Sequence, residues 1–131
     1  MTNPYSVVTL YRREQLCAIT SGTISTIPPI TQIALGTGGV DINGTIVQPV
    51  EEQTSLNNPV AIYPIEGITF PLTPSTTARY IVSVGQELAG QEISEAGLID
   101  ANGNLCGVEN FEPVIIPTTG GRRIFQIDDE W

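Results

Sequence analysis

Apolar and polar residues alternate along much of the chain with the two-residue period of a β-strand. The clearest case is residues 78–84, where Tyr80, Val82 and Val84 fall on one face and polar or mixed residues on the other. Other short apolar runs are bounded by Gly, Pro or Asn, as strands in a β-rich domain are. The pattern predicts strands at residues 30–35, 60–65, 68–72, 78–84, 93–99, 105–111 and 122–127.

One segment near the start has a helical period instead. Residues 6–20 contain neither Gly nor Pro, and apolar residues recur on one side of a 3.6-residue repeat at Val8, Tyr11, Leu16 and Ile19. Ser6 can cap the beginning of such a helix, and Gly22 stands where it would stop. We therefore predict a helix over about residues 7–20.

The remaining segments complete a single domain of 131 residues. Residues 36–58 form a long loop with a short helix expected near residues 51–56, and residues 59–127 form the β-rich half. Asn102-Gly103 marks a tight hairpin turn, because this pair tolerates a positive φ. We expect an α+β fold: a β-rich single domain, mainly one antiparallel sheet with one N-terminal helix covering it.

Composition supports sheet and excludes several functions. Of the 131 residues, 42 are β-branched (17 Ile, 10 Val and 15 Thr), and these favour strands. Five basic residues, all Arg, face 14 acidic ones, so a formal charge of −9 argues against partners that are nucleic acid or anionic membrane. The chain has no His and no Lys, which removes most catalytic bases, so we expect no enzyme, no metal and no cofactor.

Three local patterns have a structural explanation that does not require a ligand. Gly36-Thr37-Gly38-Gly39 follows a strand but lacks the Lys of a phosphate-binding loop, so it is interpreted as a turn. The Asp100–Asn104 segment resembles half of a calcium loop, but its Gly stands fourth rather than sixth. Cys17 and Cys106 are interpreted as two buried thiols.

Two ordered blocks of the sequence resemble phage tail-collar fibre proteins. Residues 30–39, Ile-Thr-Gln-Ile-Ala-Leu-Gly-Thr-Gly-Gly, are similar to that family's I-T-x-(M/I)-A-(V/L)-G-x-G-G, and residues 53–58 to its Q-T-x-L-x-N-E. Residues 93–105 are similar to its I-x-E-x-G-L-(Y/F)-D-x-x-G-x-L. The Glu that ends Q-T-x-L-x-N-E has no counterpart within residues 53–58, which end at Asn58.

The resemblance implies a structural virion protein at the tail or baseplate periphery of a contractile-tailed phage or related injection system, assembled in the bacterial cytoplasm. It implies a homo-oligomer, a trimer in the family, that attaches tail fibres to a baseplate protein. No fibre shaft or tip follows the two blocks, so an adaptor is expected. The alternative is a host-surface or carbohydrate-binding module, which would need exposed aromatic residues.

The matched positions, together with a terminal aromatic residue, form the set of candidate partner-binding or structural residues. We expect Glu95 to be partly buried and paired with Arg79 or Arg122. Trp131, the last residue of the acidic tail 128–131, is interpreted as a free end in preference to a docked anchor. The full set is Gly36, Gly38, Gly39, Leu56, Asn57, Glu95, Gly97, Leu98, Asp100, Gly103 and Trp131.

Overall fold

Antiparallel pairing arranges most of the chain into two β-sheets. The computed structural model describes residues 3–131. The five-stranded sheet has the order β1-β7-β6-β2-β3, and the three-stranded sheet has the order β4-β5-β8. The elements are β1 Ser6–Val8, α1 Leu10–Thr20, β2 Ile30–Gly36, β3 Pro59–Pro64, β4 Gly67–Thr69, β5 Thr77–Val84, a 3-10 turn Gln86–Leu88, β6 Glu92–Asp100, β7 Leu105–Ile115 and β8 Arg123–Glu130.

The main hydrophobic core lies between the two sheets. Ile33 and Leu35 of β2 face Val82 and Val84 of β5, and all four side chains are completely buried. The alternation in β5 therefore places one face of the strand in the core, as the sequence predicted. Fold class is likewise confirmed: the protein is α+β, β-rich and mostly antiparallel, with one helix among the described residues.

The expectation of one sheet covered by the helix is wrong. The core is closed by the second sheet, and no residue of α1 is buried. The chain passes from β3 to β4 through only two residues, where the Ile65 N–H donates to the Thr31 carbonyl and the Glu66 N–H to that of Ile81. These bonds assign consecutive strands to different sheets, and alternation alone does not reveal that.

The helix begins three residues later than predicted, because Ser6–Val8 pairs with β7. Thr9 then caps the helix. Its Oγ1 accepts a hydrogen bond from the Arg12 N–H at 3.3 Å and donates to the Leu105 carbonyl at 2.7 Å. A β-strand pairing and a buried cap together override the helical spacing of Val8.

The hairpin between β6 and β7 turns where the sequence predicted. Gly103 has φ +84°, and its N–H donates to the Asp100 carbonyl at 2.9 Å. A positive φ is costly for residues with a Cβ, which explains the Gly. The turn fixes the register that places Glu95 opposite Asn110.

Two predicted segments, a short helix and a separate acidic tail, are wrong. Residues 51–56 form turns and bends instead of a helix. The acidic tail is not a separate segment, because β8 continues to Glu130 and pairs with β5 as far as Thr77. Ladder pairing therefore extends the strand through residues whose charges suggested a solvated end.

Candidate functional site

A buried carboxylate in the middle of β6 organises the candidate site. Glu95 is completely buried. Its Oε1 accepts a hydrogen bond from the Asn57 N–H at 2.8 Å. Its Oε2 accepts two more, from the N–H groups of Gly38 at 2.7 Å and Asn58 at 2.8 Å. Three backbone donors thus surround one carboxylate, in the manner of an anion-binding nest.

Burial of Glu95 was expected, but the predicted Arg partner is wrong. Arg79 forms two hydrogen bonds with Asp128, at 2.8 and 3.1 Å. Arg122 donates to Ser83 instead. Backbone amides carry no signature in the side-chain sequence, so a search for a cationic partner could not have found the donors of this carboxylate.

The predicted glycines lie against this carboxylate and its neighbour in β6. A Cβ on Gly36 or Gly38 would lie 2.5 or 2.7 Å from the Glu95 Oε2. A Cβ on Gly39 would overlap the carbonyl oxygen of Ser94. Each of the three glycines therefore allows a close approach of the chain to β6.

Leu56 and Gly97 form the apolar side of the same arrangement. Leu56 is buried in a small cluster on the outer face of the five-stranded sheet, with Ala34, Ile99, Leu105 and Val108. A Cβ on Gly97 would lie 3.1 Å from Leu56 and 2.6 Å from Leu105. The absence of a side chain at Gly97 thus makes room for Leu56 to pack on the sheet.

These residues form one unit, which we name the Glu95 cluster. The cluster joins both ends of residues 37–58 to β6, and it brings together the two sequence blocks that carry the resemblance. The three donors to the carboxylate give it a structural role, because they hold the loop to β6. The cluster consists of Gly36, Gly38, Gly39, Leu56, Asn57, Asn58, Glu95 and Gly97.

Sequence reasoning missed three polar residues that support the loop. The buried Ser94 accepts the Gly39 N–H on its Oγ at 2.9 Å. Asn58, the last residue of the matched segment 53–58, donates from Nδ2 to Thr37 Oγ1 at 2.6 Å. Asn110 is completely buried and donates to the Val47 carbonyl at 2.8 Å. Both Asn58 and Ser94 lie inside the blocks that carry the resemblance, which is the positional signal that could have found them.

Other predicted residues lie outside the Glu95 cluster. Leu98 faces the opposite side of β6 and belongs to the main core. Asp100 is buried in the hairpin turn, where its Oδ2 accepts the Tyr11 hydroxyl at 2.7 Å. That bond and burial raise the pKa of the Tyr11 phenol. Gly103 completes the same turn, so these residues stabilise the fold and connect α1 to it.

Trp131 is tied to its own chain, so the free-end interpretation is wrong. Its N–H donates to the Thr76 carbonyl at 2.7 Å. The Arg12 guanidinium lies over the indole, 5.5 Å from the ring centroid, and 3.7 Å from Asp129. Arg12 therefore meets the acidic segment within one molecule. Trp131 as a whole is still 57 % exposed.

Only one of the two thiols is buried, which corrects the sequence interpretation. Cys106 lies in the core, where burial raises the pKa of its thiol to about 11. Cys17 is on the exposed face of α1, and both cysteines are free. Within residues 3–131, no group of three or more Cys, Asp or Glu side chains is arranged to hold a metal ion. No helix in that range is long and apolar enough to cross a membrane.

A small acidic cavity lies where β8 approaches the β1 end of the larger sheet. It has a volume of about 150 Å³, and Glu109, Asp128 and Glu130 line it with Arg79. Burial raises the pKa of the Glu109 carboxyl, and the neighbouring acids raise it further, while the hydrogen bond from Asn3 opposes both. The protein therefore keeps a partly desolvated acid at this edge.

Replacement of Glu95 by Gln should destabilise the fold by about 2–4 kcal/mol, because an amide cannot accept all three N–H bonds and turns its own NH2 group, which is completely buried with the side chain, towards at least one of the donors. Urea denaturation followed by circular dichroism measures the loss. Glu92→Gln is the matched control, since Glu92 lies on the same strand but is exposed. Equal stability of the two variants would contradict the structural role of the Glu95 carboxylate.

Replacement of Glu109 by Gln should stabilise the protein increasingly as pH rises from about 4 to 7. A carboxyl whose pKa is raised above its usual 4.5 holds its proton more tightly in the folded state. Its ionisation therefore lowers the free energy of unfolding, and the neutral amide avoids that loss. Urea denaturation across this pH range tests the difference, with the exposed Glu112→Gln as control. A constant difference between Glu109→Gln and wild type would show that the acid is not desolvated.

Comparison of the chain with protein-family models, with curated proteins and with solved structures gave no match. The case for a function therefore depends on the geometry above and on the sequence blocks that the Glu95 cluster brings together.

Proposed function

We propose that this protein is a non-enzymatic structural protein of a phage-like contractile tail. In this role it anchors or adapts tail fibres at the baseplate, by contacts with copies of itself and with a baseplate or fibre protein. Its place would be the periphery of the tail in the virion, where it supports host attachment without itself performing chemistry.

The convergence of the two sequence blocks is the observation that carries this proposal. Residues 36–39 and 56–58 of the first block contact Glu95 and Gly97 of the second, although 37 or more positions separate Glu95 from them. Positions that matched the family pattern by chance would not be expected to lie together in the structure. Proteins that share a domain architecture would keep a set of residues that together stabilise one loop.

Exposed sheet edges supply the attachment surface in this proposal. Strands β3 and β4 each pair on one side only among the described residues, so both leave backbone groups for a neighbour. Large apolar side chains are exposed on these strands and just after them, at Ile62, Ile68, Phe70 and Leu72. Backbone donors together with apolar side chains suit addition of a partner's strand.

Light scattering of the purified protein, mixed with baseplate and fibre proteins from the same genome, tests the proposal. We expect a stoichiometric complex with one of them. Ile62→Lys should weaken that complex by about tenfold or more, because it puts a charge on the proposed edge. Ile62 is 55 % exposed, so the fold should tolerate the change.

Val50→Lys is the matched control, since Val50 is 53 % exposed but lies in the loop. It should bind as wild type does. A protein that ignores every tail component and instead binds bacterial surface glycans would contradict fibre anchoring and favour the host-surface module. Equal weakening by both substitutions would contradict the assignment of the β3 edge.

A further inference from the structure

The chain builds the same five-residue turn twice. In Asp41-Ile42-Asn43-Gly44-Thr45, the Asp41 Oδ1 accepts the N–H groups of residues 43 and 45, at 2.8 and 3.0 Å. In Asp100–Asn104, the Asp100 Oδ1 accepts the N–H groups of residues 102 and 104, at 2.9 and 3.0 Å. The glycines agree too, with φ +80° at Gly44 and +84° at Gly103.

The two turns differ at the position that follows the Asp. In the hairpin this position is Ala101, whose N–H donates to the Pro29 carbonyl. In the loop it is Ile42, which is 100 % exposed. The turn itself accepts Ala, so nothing in its geometry requires a large apolar side chain at residue 42.

Ile42 projects from a loop that backbone hydrogen bonds stabilise. Val40 forms a β-bridge with Ile46, and the Val47 N–H donates to the Gly39 carbonyl at 2.9 Å. The Glu95 cluster fixes the chain on both sides of this bridge. An exposed apolar side chain on a preorganised turn loses little conformational entropy when it binds, which is the property of an interface anchor.

A groove on the same protein is partly apolar and large enough for such a side chain. It runs between β7 and β8 and has a volume of about 250 Å³. Phe111 and Phe125 contribute to its lining, with ring centroids 6.3 Å apart. Val114 and Ile124 line it as well. An apolar cavity of about 150 Å³ can hold benzene, so this groove has room for the four carbons of an Ile side chain.

Charge points to a second copy of the chain as the occupant. Arg123 lines the groove and, within residues 3–131, is the Arg that forms no ion pair with an acid. The loop that carries Ile42, residues 37–58, contains three acids but no Lys or Arg. Glu51 pairs with Arg13 of its own chain, which leaves Asp41 and Glu52 without an ion pair among the described residues. Glu109 also lines the groove, but it belongs as well to the acidic cavity beside Gln126 and Asp128. An acidic loop thus suits the Arg123 side of the groove.

We propose that Ile42 of one copy inserts into the groove between β7 and β8 of a second copy. Ile42 and the groove are different surfaces, so the contact is heterologous and each copy both gives and receives an Ile. Repetition of such a contact closes a ring or extends a chain. The contact concerns association of the protein with itself, and it stands or fails independently of fibre attachment.

Sedimentation equilibrium of wild type and variants tests the contact. Wild type should associate with increasing concentration. Ile42→Ala should weaken association by roughly 10- to 100-fold, because it removes three carbons from the groove. Its fold should be unchanged, since the second turn carries Ala at this position. Val50→Ala, which shortens another exposed side chain of the same loop, should associate as wild type does.

Mixing two defective variants tests the pairing itself. Ile42→Asp loses the inserted side chain but keeps the groove, while Ile124→Asp damages the groove and keeps Ile42. Ile124 is 63 % exposed, so its replacement spares the core. Each variant alone should be monomeric, and an equimolar mixture should form a heterodimer and nothing larger. Ile124→Ala serves as a milder groove variant if Ile124→Asp fails to fold by circular dichroism.

Three outcomes would overturn the proposal. They are a wild type that stays monomeric up to about 1 mM, association that Ile42→Ala leaves unchanged, or a mixture that remains monomeric. The last result would place Ile42 against some other surface and leave the groove for a different partner. Strand addition at β3 would also be distinguished, because Ile62→Lys should not alter the self-association described here.

Discussion

The need to satisfy one buried carboxylate governs the shape of this protein. Removal of an ionised carboxylate from water costs several kcal/mol unless hydrogen bonds or a cation replace the water. Glu95 is completely buried, and its hydrogen-bond donors are the backbone N–H groups of Gly38, Asn57 and Asn58. The two ends of residues 37–58 must therefore meet at β6. A long loop closed at both ends by the same side chain loses much of the freedom that a loop of its length would have.

The close approach to β6 explains the neighbouring residues. Gly39 must lack a Cβ because the Ser94 carbonyl occupies that space, and Gly97 leaves room for Leu56. Once both ends are fixed, Asn110 can hold the middle of the loop through the Val47 carbonyl. The loop is then held at both ends and in its middle, which restricts its motion. This restriction connects the fold to the proposed role in assembly, since a fixed loop can present an apolar side chain to a neighbour without a large loss of entropy.

The sequence predicted the parts of the fold that depend on local pattern. Alternation identified β5 and its core face, and Asn102-Gly103 identified the hairpin, because both depend on neighbouring residues alone. It missed the second sheet, since two hydrogen bonds near Ile65 decide which sheet each strand joins. It missed β1 because three residues give too short a period to distinguish a strand from a helix. For the site, the resemblance selected Glu95 and glycines that the structure places beside it. The predicted Arg partner of the carboxylate is wrong, because its donors are backbone N–H groups that the side-chain sequence does not reveal.

Amide hydrogen exchange by NMR tests most directly whether the Glu95 carboxylate holds the loop. Asn57 and Asn58 are exposed residues, so burial alone would leave their amides open to water. In wild type, the amides of Gly38, Asn57 and Asn58 should exchange slowly. In Glu95→Gln at least one of them should exchange faster by about 30-fold or more, because an amide cannot accept all three N–H bonds. Amides in the β5–β8 ladder should exchange at similar rates in both proteins after correction for global stability. Fast exchange of these three amides in wild type, or protection that survives Glu95→Gln, would contradict the central role of the carboxylate.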